Sequence, residues 1–258
     1  MKKDSLYDLE ETLYKLEPIT LEEMSGVSLM NRIDTKFLTS IEKLNKLLNF
    51  ASGDFLIQDL ENIRNSAYYT CYFDTKDGMM YYNHQRGKKS RRKVRIREYV
   101  NTGVLPFLEI KDKNNKGRTR KKRVSMNEGT QIKDYDDFIT KYSEFCAYEL
   151  IPRIENRFNR ITLVNKEKNE RVTIDTSLEF HNFSTGLNLK LPELVIIEWK
   201  HDALSSKSHL RPLLRKLRIQ ENGFSKYIMG MALTDFSLPQ NRLKKKIRFL
   251  DNLINGRI

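Results

Sequence analysis

The residues best suited to chemistry in this sequence are charged side chains that alternate with apolar ones. In the stretch FLEIKDK, Phe107–Lys113, a β-strand would place Glu109, Lys111 and Lys113 on one face and apolar residues on the other. The stretches RIDTKF, VRIREY and LVIIEWK alternate in the same way, at Lys36, Arg95, Arg97, Glu198 and Lys200. Several strands of one chain therefore carry acids and bases on a single side.

These residue types are suited to binding phosphate groups together with a divalent cation. An arginine fork binds two phosphate oxygens at once, and a lysine supplies a compact positive charge. A carboxylate alone would repel phosphate, but it fits when a hard divalent cation bridges it to phosphate oxygens. The repeated set is Lys36, Arg95, Arg97, Glu109, Lys111, Arg123, Arg160, Asp175, Glu198 and Lys200. Many bases and few acids on such faces indicate a site for metal and triphosphate.

The overall charge also indicates an anionic partner. The chain has 47 basic and 34 acidic residues, and its formal net charge is +13. Residues 86–97 include eight basic residues and no acidic one, and residues 116–123 include six basic residues. A solvated basic loop would explain an isolated run of this kind. These runs lead directly into strand-like alternation, so we interpret them as part of an anion-binding site.

Composition excludes several classes of protein. With 258 residues, 39% of them hydrophobic, the chain is long enough to bury a substantial core as a single domain. It has no apolar run of the roughly 18–20 residues that a membrane span needs, and no signal peptide at its start. Cys71 and Cys146 do not indicate a disulfide framework or a zinc site, and the four histidines show no catalytic arrangement. We therefore expect a cytoplasmic protein.

Seven or eight strands and several helices must position the charged residues. Helices are predicted near the N-terminus, after Ser40, over residues 134–150, in LSSKSHLRPLLRKLRI and GFSKYIMGMALTD, and in the basic C-terminal tail. Strands are predicted at Tyr68–Thr75, in a hairpin of residues 93–113, and in the segments up to LVIIEWK. This is an α+β pattern. Composition leaves two arrangements open: an open sheet with a solvated charged face, or a closed barrel with a charged lumen.

Nine short motifs, in order, resemble those of the VTC domain, the catalytic module of the vacuolar transporter chaperone polyphosphate polymerase. They are RIDTKF, YFDT, VRIREY, FLEIKDK, TRKKRV, FNR, RVTIDTSL, VIIEWK and FSKY, and they cover roughly Asn31 to Asp235. The VTC domain belongs to the triphosphate tunnel metalloenzymes. The resemblance implies a closed antiparallel β-barrel with a charged lumen, flanked by helices. It implies one domain over 1–258, with a helical segment 1–30, a tunnel core 31–235 and a basic helix 236–258.

The resemblance also assigns roles to individual residues. It implies that Lys36, Arg95, Arg97, Lys111, Arg123, Arg160 and Lys200 are catalytic. Lys113, Arg157 and Lys226 are further candidates for substrate binding. The carboxylates expected to contact Mn²⁺ or Mg²⁺ are Glu198 first, then Glu109 and Asp175. Many tunnel enzymes begin with Glu-x-Glu-x-Lys, whereas this chain has Arg32, Asp34 and Lys36 at those positions. That departure argues against a simple triphosphatase or a cyclase-like member.

The function implied is an ATP-dependent polyphosphate polymerase with ATP and polyphosphate as its ligands. Three alternatives stay open: a triphosphate or polyphosphate hydrolase of the same fold, a non-catalytic polyphosphate-binding module, and a nucleic-acid-binding protein. No nucleic-acid partner is expected, because most aromatic residues fall on apolar strand faces or helix stripes. Any coupling to membrane translocation would require a separate membrane partner. The sequence does not determine the oligomeric state.

Overall fold

The computed structural model describes residues 4–26, 32–100, 102–115, 119–202 and 208–256. Its strands are β1 (Glu17–Ile19), β2 (Arg32–Ser40), β3 (Phe55–Gln58), β4 (Ser66–Thr75), β5 (Arg91–Tyr99), β6 (Phe107–Lys113), β7 (Thr119–Ser125), β8 (Leu150–Asn165), β9 (Glu170–Asn182), β10 (Asn188–Leu191) and β11 (Leu194–Asp202). Its helices are α1 (Asp4–Tyr14), α2 (Ile41–Ala51), α3 (Met79–Gln85), α4 (Asp136–Tyr142), α5 (Leu210–Lys216), α6 (Lys226–Thr234) and α7 (Lys244–Ile254). This is the α+β class that the sequence predicts.

All strands belong to one sheet, whose main path runs β2-β11-β9-β8-β4-β5-β6-β7 with antiparallel neighbours. Among the described residues β2 and β7 are its two ends and do not pair, so the predicted closed barrel is not confirmed. The free edge of β2 is occupied by another segment instead. Phe37 forms a bridge with Glu221, and the Asn222 amide donates to the Lys36 carbonyl at 2.9 Å.

Apolar residues of the sheet carry the helices, on its outer side and, for α6, at one end of its inner face. The predicted stripe of α2 is core, since Leu44, Leu47 and Leu48 are buried against α1, α5 and the outer side of β8, β9 and β11. A second apolar cluster joins α3, α4, α6 and α7 to the strands β4, β5, β6 and β9. Across the described part of the chain, no helix is both long and apolar enough to cross a bilayer.

The helix predicted over residues 134–150 is shorter in the structure. α4 ends at Tyr142, and 3-10 turns lie before and after it. The Ser143 hydroxyl donates to the Ile139 carbonyl at 2.8 Å, and the Asp136 carboxylate accepts the Ala147 amide at 2.5 Å. These bonds satisfy the end of the helix and turn the chain, because side chains can replace helical partners there. The strands β1, β3 and β10 and the helix α3 were not predicted from the sequence.

Some predicted segments lie partly outside the described residues. They are residues 203–207 before α5, residues 116–118 of the second basic run, and residue 101 of the turn between β5 and β6. α5 itself begins at Leu210, and Pro212 lies in its first turn, as expected.

Asp74, in the motif YFDT, fixes one end of the sheet. Its buried carboxylate accepts the amide N–H groups of Met80 and Tyr81, at 2.9 and 3.0 Å, where α3 begins. It also accepts the hydroxyl of Tyr227 on α6. A carboxylate at a helix start satisfies N–H groups that have no helical partner. Asp74 therefore holds α3 and α6 against β4, and α6 covers one end of the sheet's inner face.

Candidate functional site

The charged faces of the strands line a common interior on the inner side of the sheet. Lys93 and Arg95 on β5 share this face with Glu109 and Lys111 on β6. Lys36 on β2 is paired with Glu198 on β11. The negative charge of Glu198 acts on Lys111, and the positive charge of Lys36 acts on Lys93. The sheet is therefore curved enough to bring its two halves face to face, although its end strands do not pair.

Three interior carboxylates, Glu109, Asp175 and Glu198, each contact two cations. Arg95 donates to Glu109 from Nε and Nη2, at 2.8 and 2.6 Å, and Lys121 donates to the other oxygen at 3.1 Å. Arg160 holds both oxygens of Asp175, at 2.6 and 2.8 Å, and Lys226 also donates to that carboxylate.

The third carboxylate, Glu198, lies between Lys36 and Lys200. Lys36 donates to its Oε2, and Lys200 Nζ lies 3.5 Å from its Oε1. The structure thus brings together most of the residues that the sequence selected.

These ion pairs keep the carboxylates ionised. Burial opposes the charge of Glu109, but Arg95, Arg97 and Lys121 outweigh it and lower its pKa to about 2. Burial likewise opposes the charges of Asp175 and Glu198. Their cationic neighbours, Arg160 for Asp175 and Lys36 for Glu198, hold the pKa of each carboxyl far below its usual range. All three groups are therefore weak bases at neutral pH.

Three further cations of the interior, Lys111, Lys93 and Arg97, have lowered pKa values. The charge of Arg95 and then burial lower the pKa of Lys111 to about 6. Burial and the charges of Arg95 and Lys36 lower the pKa of Lys93 to about 7. The pKa of Arg97 falls to about 10 through burial and the charges of Arg95 and Arg160, and its buried Nε has no hydrogen-bond partner. Burial and the positive charge of neighbouring cations together cause these shifts.

Lys93 lies in this interior, although it was not among the site residues predicted from the sequence. Its ammonium donates to the Ser225 hydroxyl, the N-cap of α6, at 2.9 Å. The signal was present in the sequence, because Lys93 alternates with Arg95 and Arg97 on one strand face.

The remaining candidates lie at the rim or outside. Arg123 is exposed on β7, with its guanidinium 4.8 Å from the centre of the Phe107 ring. Lys113, at the end of β6, is close enough for its charge to lower the pKa of Lys93. Arg157 faces the opposite side of β8, where its guanidinium lies 4.9 Å from the Tyr69 ring. Strand alternation separates Arg157 from the interior residue Arg160.

Of the three interior carboxylates Glu198 is the most accessible to a divalent cation, and its role as a metal ligand stays a prediction. Within the described ranges, no group of three or more His, Cys, Asp or Glu side chains could hold a metal ion. A magnesium-type ion needs only one or two carboxylates when phosphate oxygens and water complete its shell. The Glu198 side chain is 20% exposed, whereas those of Glu109 and Asp175 are 1% and 5% exposed. Glu109 and Asp175 hold arginines in place here, and their role as metal ligands stays a prediction.

Several aromatic rings, including Tyr72 opposite Arg95, also lie on the charged face, which differs from the expectation that aromatic residues occupy mainly apolar faces. Tyr68 pairs in register with Tyr99 and with Phe158, and Phe107 pairs with Arg97. Neighbours directly opposite each other on adjacent strands share a face. The rings therefore belong to the same interior as Arg97. Period-two alternation predicts this only once the register of the strands is known.

Solved structures with similar folds are distant. A candidate adenylate cyclase of Bacillus halodurans has a TM-score of 0.47 and 14% identity, covering 78% of this chain and 98% of that chain. A Hippeastrum candidate adenylyl cyclase with a dominant triphosphatase activity has a TM-score of 0.47 and 16% identity, and the match covers 78% of this chain and 95% of that chain. The PH1819 protein of Pyrococcus horikoshii has a TM-score of 0.44 and 14% identity, and the match covers 78% of this chain and 98% of that chain. TM-scores this low assign no activity to the present chain.

No curated protein matches the chain at a significant level. The sequence profile of the VTC domain does match, over residues 31–235, which is most of the chain. That range spans β2 to the end of α6, and so includes every interior charge described above. The chain belongs to the VTC domain family.

Proposed function

We propose that the protein is an ATP-dependent polyphosphate polymerase that transfers the γ-phosphate of ATP to the end of a polyphosphate chain. The observation that carries this proposal is the shortage of negative charge in the interior. Burial and the charge of Arg95 lower the pKa values of Lys93 and Arg97, and the charge of Arg95 and then burial lower that of Lys111. A bound chain of phosphates would supply the missing charge.

The interior offers different residues for different parts of the substrate. Arg95 and Arg160 are held rigidly by Glu109 and Asp175, so their remaining N–H groups are preorganised to bind phosphate oxygens. The flexible ammonium groups of Lys93, Lys111 and Lys200 would surround the transferring phosphate. Glu198 would hold Mn²⁺ or Mg²⁺, which when bound would neutralise charge on the β- and γ-phosphates.

The chemical step requires no general base. A terminal oxygen of polyphosphate, already anionic, attacks the γ-phosphorus of ATP. The new P–O bond forms as the bond between the γ-phosphorus and the β–γ bridging oxygen breaks, and ADP leaves with that oxygen. The carboxylates near the site are weak bases because their cationic partners keep them ionised. An acceptor that carries its own negative charge suits such a site better than water does.

A triphosphate hydrolase of the same architecture is the second candidate. The observation that favours it is the lowered pKa of Lys111, about 6, which leaves a neutral amine in the free site at neutral pH. A neutral amine is able to accept a proton from an attacking water molecule. A bound triphosphate would raise the pKa of that amine, so this route weakens when the substrate is in place.

The test is to incubate the purified protein with ATP and Mn²⁺ and to assay polyphosphate and free phosphate in the same samples. We expect long acid-labile chains, with production lowered at least about 100-fold in Lys200→Ala, since one preorganised charge contributes on that order. Lys190→Ala is the matched control, because Lys190 is an exposed lysine on β10 that pairs with Glu179.

Free phosphate without chains would assign the protein to the hydrolases. Neither product, together with tight polyphosphate binding, would leave a binding module. The expected cytoplasmic location and a separate membrane partner stay predictions that accompany this proposal.

A further inference from the structure

Four aromatic side chains form a continuous stripe across four adjacent strands of the interior. We call Phe158, Tyr68, Tyr99 and Phe107, from β8, β4, β5 and β6, the aromatic stripe. The rings of Tyr68 and Phe158 are stacked, with centroids 5.2 Å apart. Tyr99 contacts Tyr68 edge to face at 5.0 Å and Phe107 at 6.1 Å. Phe158 is buried, whereas the other three rings are partly exposed on the interior face.

The stripe lies directly beside the phosphate-binding cations. The guanidinium of Arg160 lies 5.1 Å from the centre of the Tyr68 ring, and that of Arg97 lies 5.8 Å from it. At the far end Arg123 lies over Phe107. Arg97 therefore stands between the stripe and Arg95, and its Nε is buried without a hydrogen-bond partner.

Aromatic faces are unsuited to a ligand made of phosphates alone. The face of a ring carries partial negative charge and does not attract an anion. A nucleobase, in contrast, stacks on aromatic rings and on guanidinium planes. A row of rings that continues into a cluster of cations thus has the layout of a nucleoside triphosphate, with a base at one end and phosphates at the other.

We propose that the partly exposed rings of the aromatic stripe, Tyr68, Tyr99 and Phe107, bind the nucleobase of the nucleoside triphosphate donor by stacking, with Arg97 at the adjoining phosphate. This inference rests on the proposed function, and it names which triphosphates the site accepts. Stacking does not distinguish bases by their hydrogen-bonding edges. The protein should therefore prefer nucleoside triphosphates to inorganic tripolyphosphate while discriminating little between ATP and GTP.

The experiment measures binding without turnover, so that it does not depend on which reaction occurs. Calorimetry would give the affinities of a non-hydrolysable imido analogue of ATP, the corresponding GTP analogue and inorganic tripolyphosphate, each with Mn²⁺. We expect the ATP analogue to bind about tenfold more tightly than tripolyphosphate, as loss of one stacked base would give. The two nucleotide analogues should agree within about threefold.

Variants of the stripe distinguish the loss of base stacking from the loss of the folded structure. Tyr68→Leu and Tyr99→Leu keep apolar volume and remove an aromatic face, so each should weaken the nucleotide analogue about tenfold and leave tripolyphosphate unchanged. Tyr69→Leu is the matched control. Tyr69 is the next residue on β4 but faces the other side, where its hydroxyl donates to Glu155 at 2.8 Å. A variant that merely misfolds would lose both ligands equally.

Each contrary outcome overturns the inference and can be told apart from the others. If tripolyphosphate binds as tightly as the nucleotide analogues, or if Tyr68→Leu and Tyr99→Leu weaken all ligands equally, the stripe is a structural element and the proposed function still stands. If no ligand binds to the wild-type protein, the proposed function fails along with the inference. If a single-stranded oligonucleotide displaces the ATP analogue at far lower concentration, the stripe belongs to a nucleic-acid site.

Discussion

Lys93 and Lys111 are directly opposite each other on β5 and β6, an arrangement that opposes folding because like charges repel across strands. The cost is reduced when one or both amines lose their protons. Burial and the charge of Arg95 lower the pKa of Lys93 to about 7, and the charge of Arg95 and burial lower that of Lys111 to about 6. Buried arginines cannot respond in this way, since they stay charged at any physiological pH. At the residue scale, the interior thus combines permanently charged arginines with lysines that take up protons when an anion binds.

We therefore predict that tripolyphosphate binding depends on pH through Lys93. In the free protein this amine is charged below pH about 7, and a bound anion raises its pKa towards the ordinary lysine value. Binding takes up protons above pH 7 at Lys93 and also at Lys111, and each amine should contribute a fall in affinity of up to about tenfold per pH unit there. Calorimetry between pH 6 and 9 would measure how the affinity for tripolyphosphate changes with pH.

The control for that prediction is Lys93→Arg, because arginine stays charged between pH 6 and 9. The protonation of tripolyphosphate itself affects the variant and the wild-type protein equally. Its affinity should fall less steeply with pH than that of the wild-type protein. Parallel pH profiles for the two proteins would contradict the assignment of the proton uptake to Lys93.

At the element scale, the start of α6 joins three different strands. Ser225, its N-cap, receives the Lys93 ammonium from β5. Lys226 reaches Asp175 on β9, and Tyr227 donates to Asp74 on β4. The rest of the helix is almost wholly apolar and buried. α6 therefore closes one end of the interior and, through its first turn, positions charges on both sides of it.

Close packing of α6 predicts that Gly230→Ala is destabilising. A Cβ at Gly230 would lie 2.7 Å from both Ile154 Cδ1 and Phe180 Cδ1. Overpacking of this kind typically costs about 1–3 kcal/mol, which outweighs the helix-propensity gain of up to about 1 kcal/mol. Urea denaturation should show a lower free energy of unfolding. Gly53→Ala is the control, since nothing lies within 4 Å of its Cβ, and equal effects at the two sites would contradict the packing.

At the scale of the whole molecule, an anion that binds the interior should stabilise the fold. The net charge of +13 and the crowded interior cations oppose folding, and a bound polyanion offsets both. At 100 times its Kd a ligand stabilises by about 2.7 kcal/mol, which corresponds to a rise in Tm of about 5 °C or more for a domain of this size.

Thermal unfolding with tripolyphosphate, compared with sulfate at the same ionic strength, would measure this rise. Lys200→Ala should show a smaller rise than the wild-type protein, because one of the interior cations is gone. An equal rise with sulfate would mean that general screening of the surface charge, and not the interior, is responsible.

Much of the site was predictable from residue spacing. Alternation in β5, β6 and β11 placed Arg95, Arg97, Glu109, Lys111, Glu198 and Lys200 on shared faces, because side chains of a strand point to opposite sides with a period of two. The apolar stripe of α2 and the hairpin of β5 and β6 followed from the same reasoning. Alternation could equally have shown that Arg157 and Arg160 face opposite sides of β8.

Tertiary structure decided what spacing within one segment leaves open. It brought Glu198 near Lys111 and gave Glu109, Asp175 and Glu198 two cations each. It also joined four aromatic rings into one stripe, those of Tyr68, Tyr99, Phe107 and Phe158. It also left the sheet unclosed, because the segment at Glu221 and Asn222 occupies the edge of β2. The physical reason is range: alternation is a local property of the backbone, whereas register, curvature and ion pairing depend on which distant strands become neighbours.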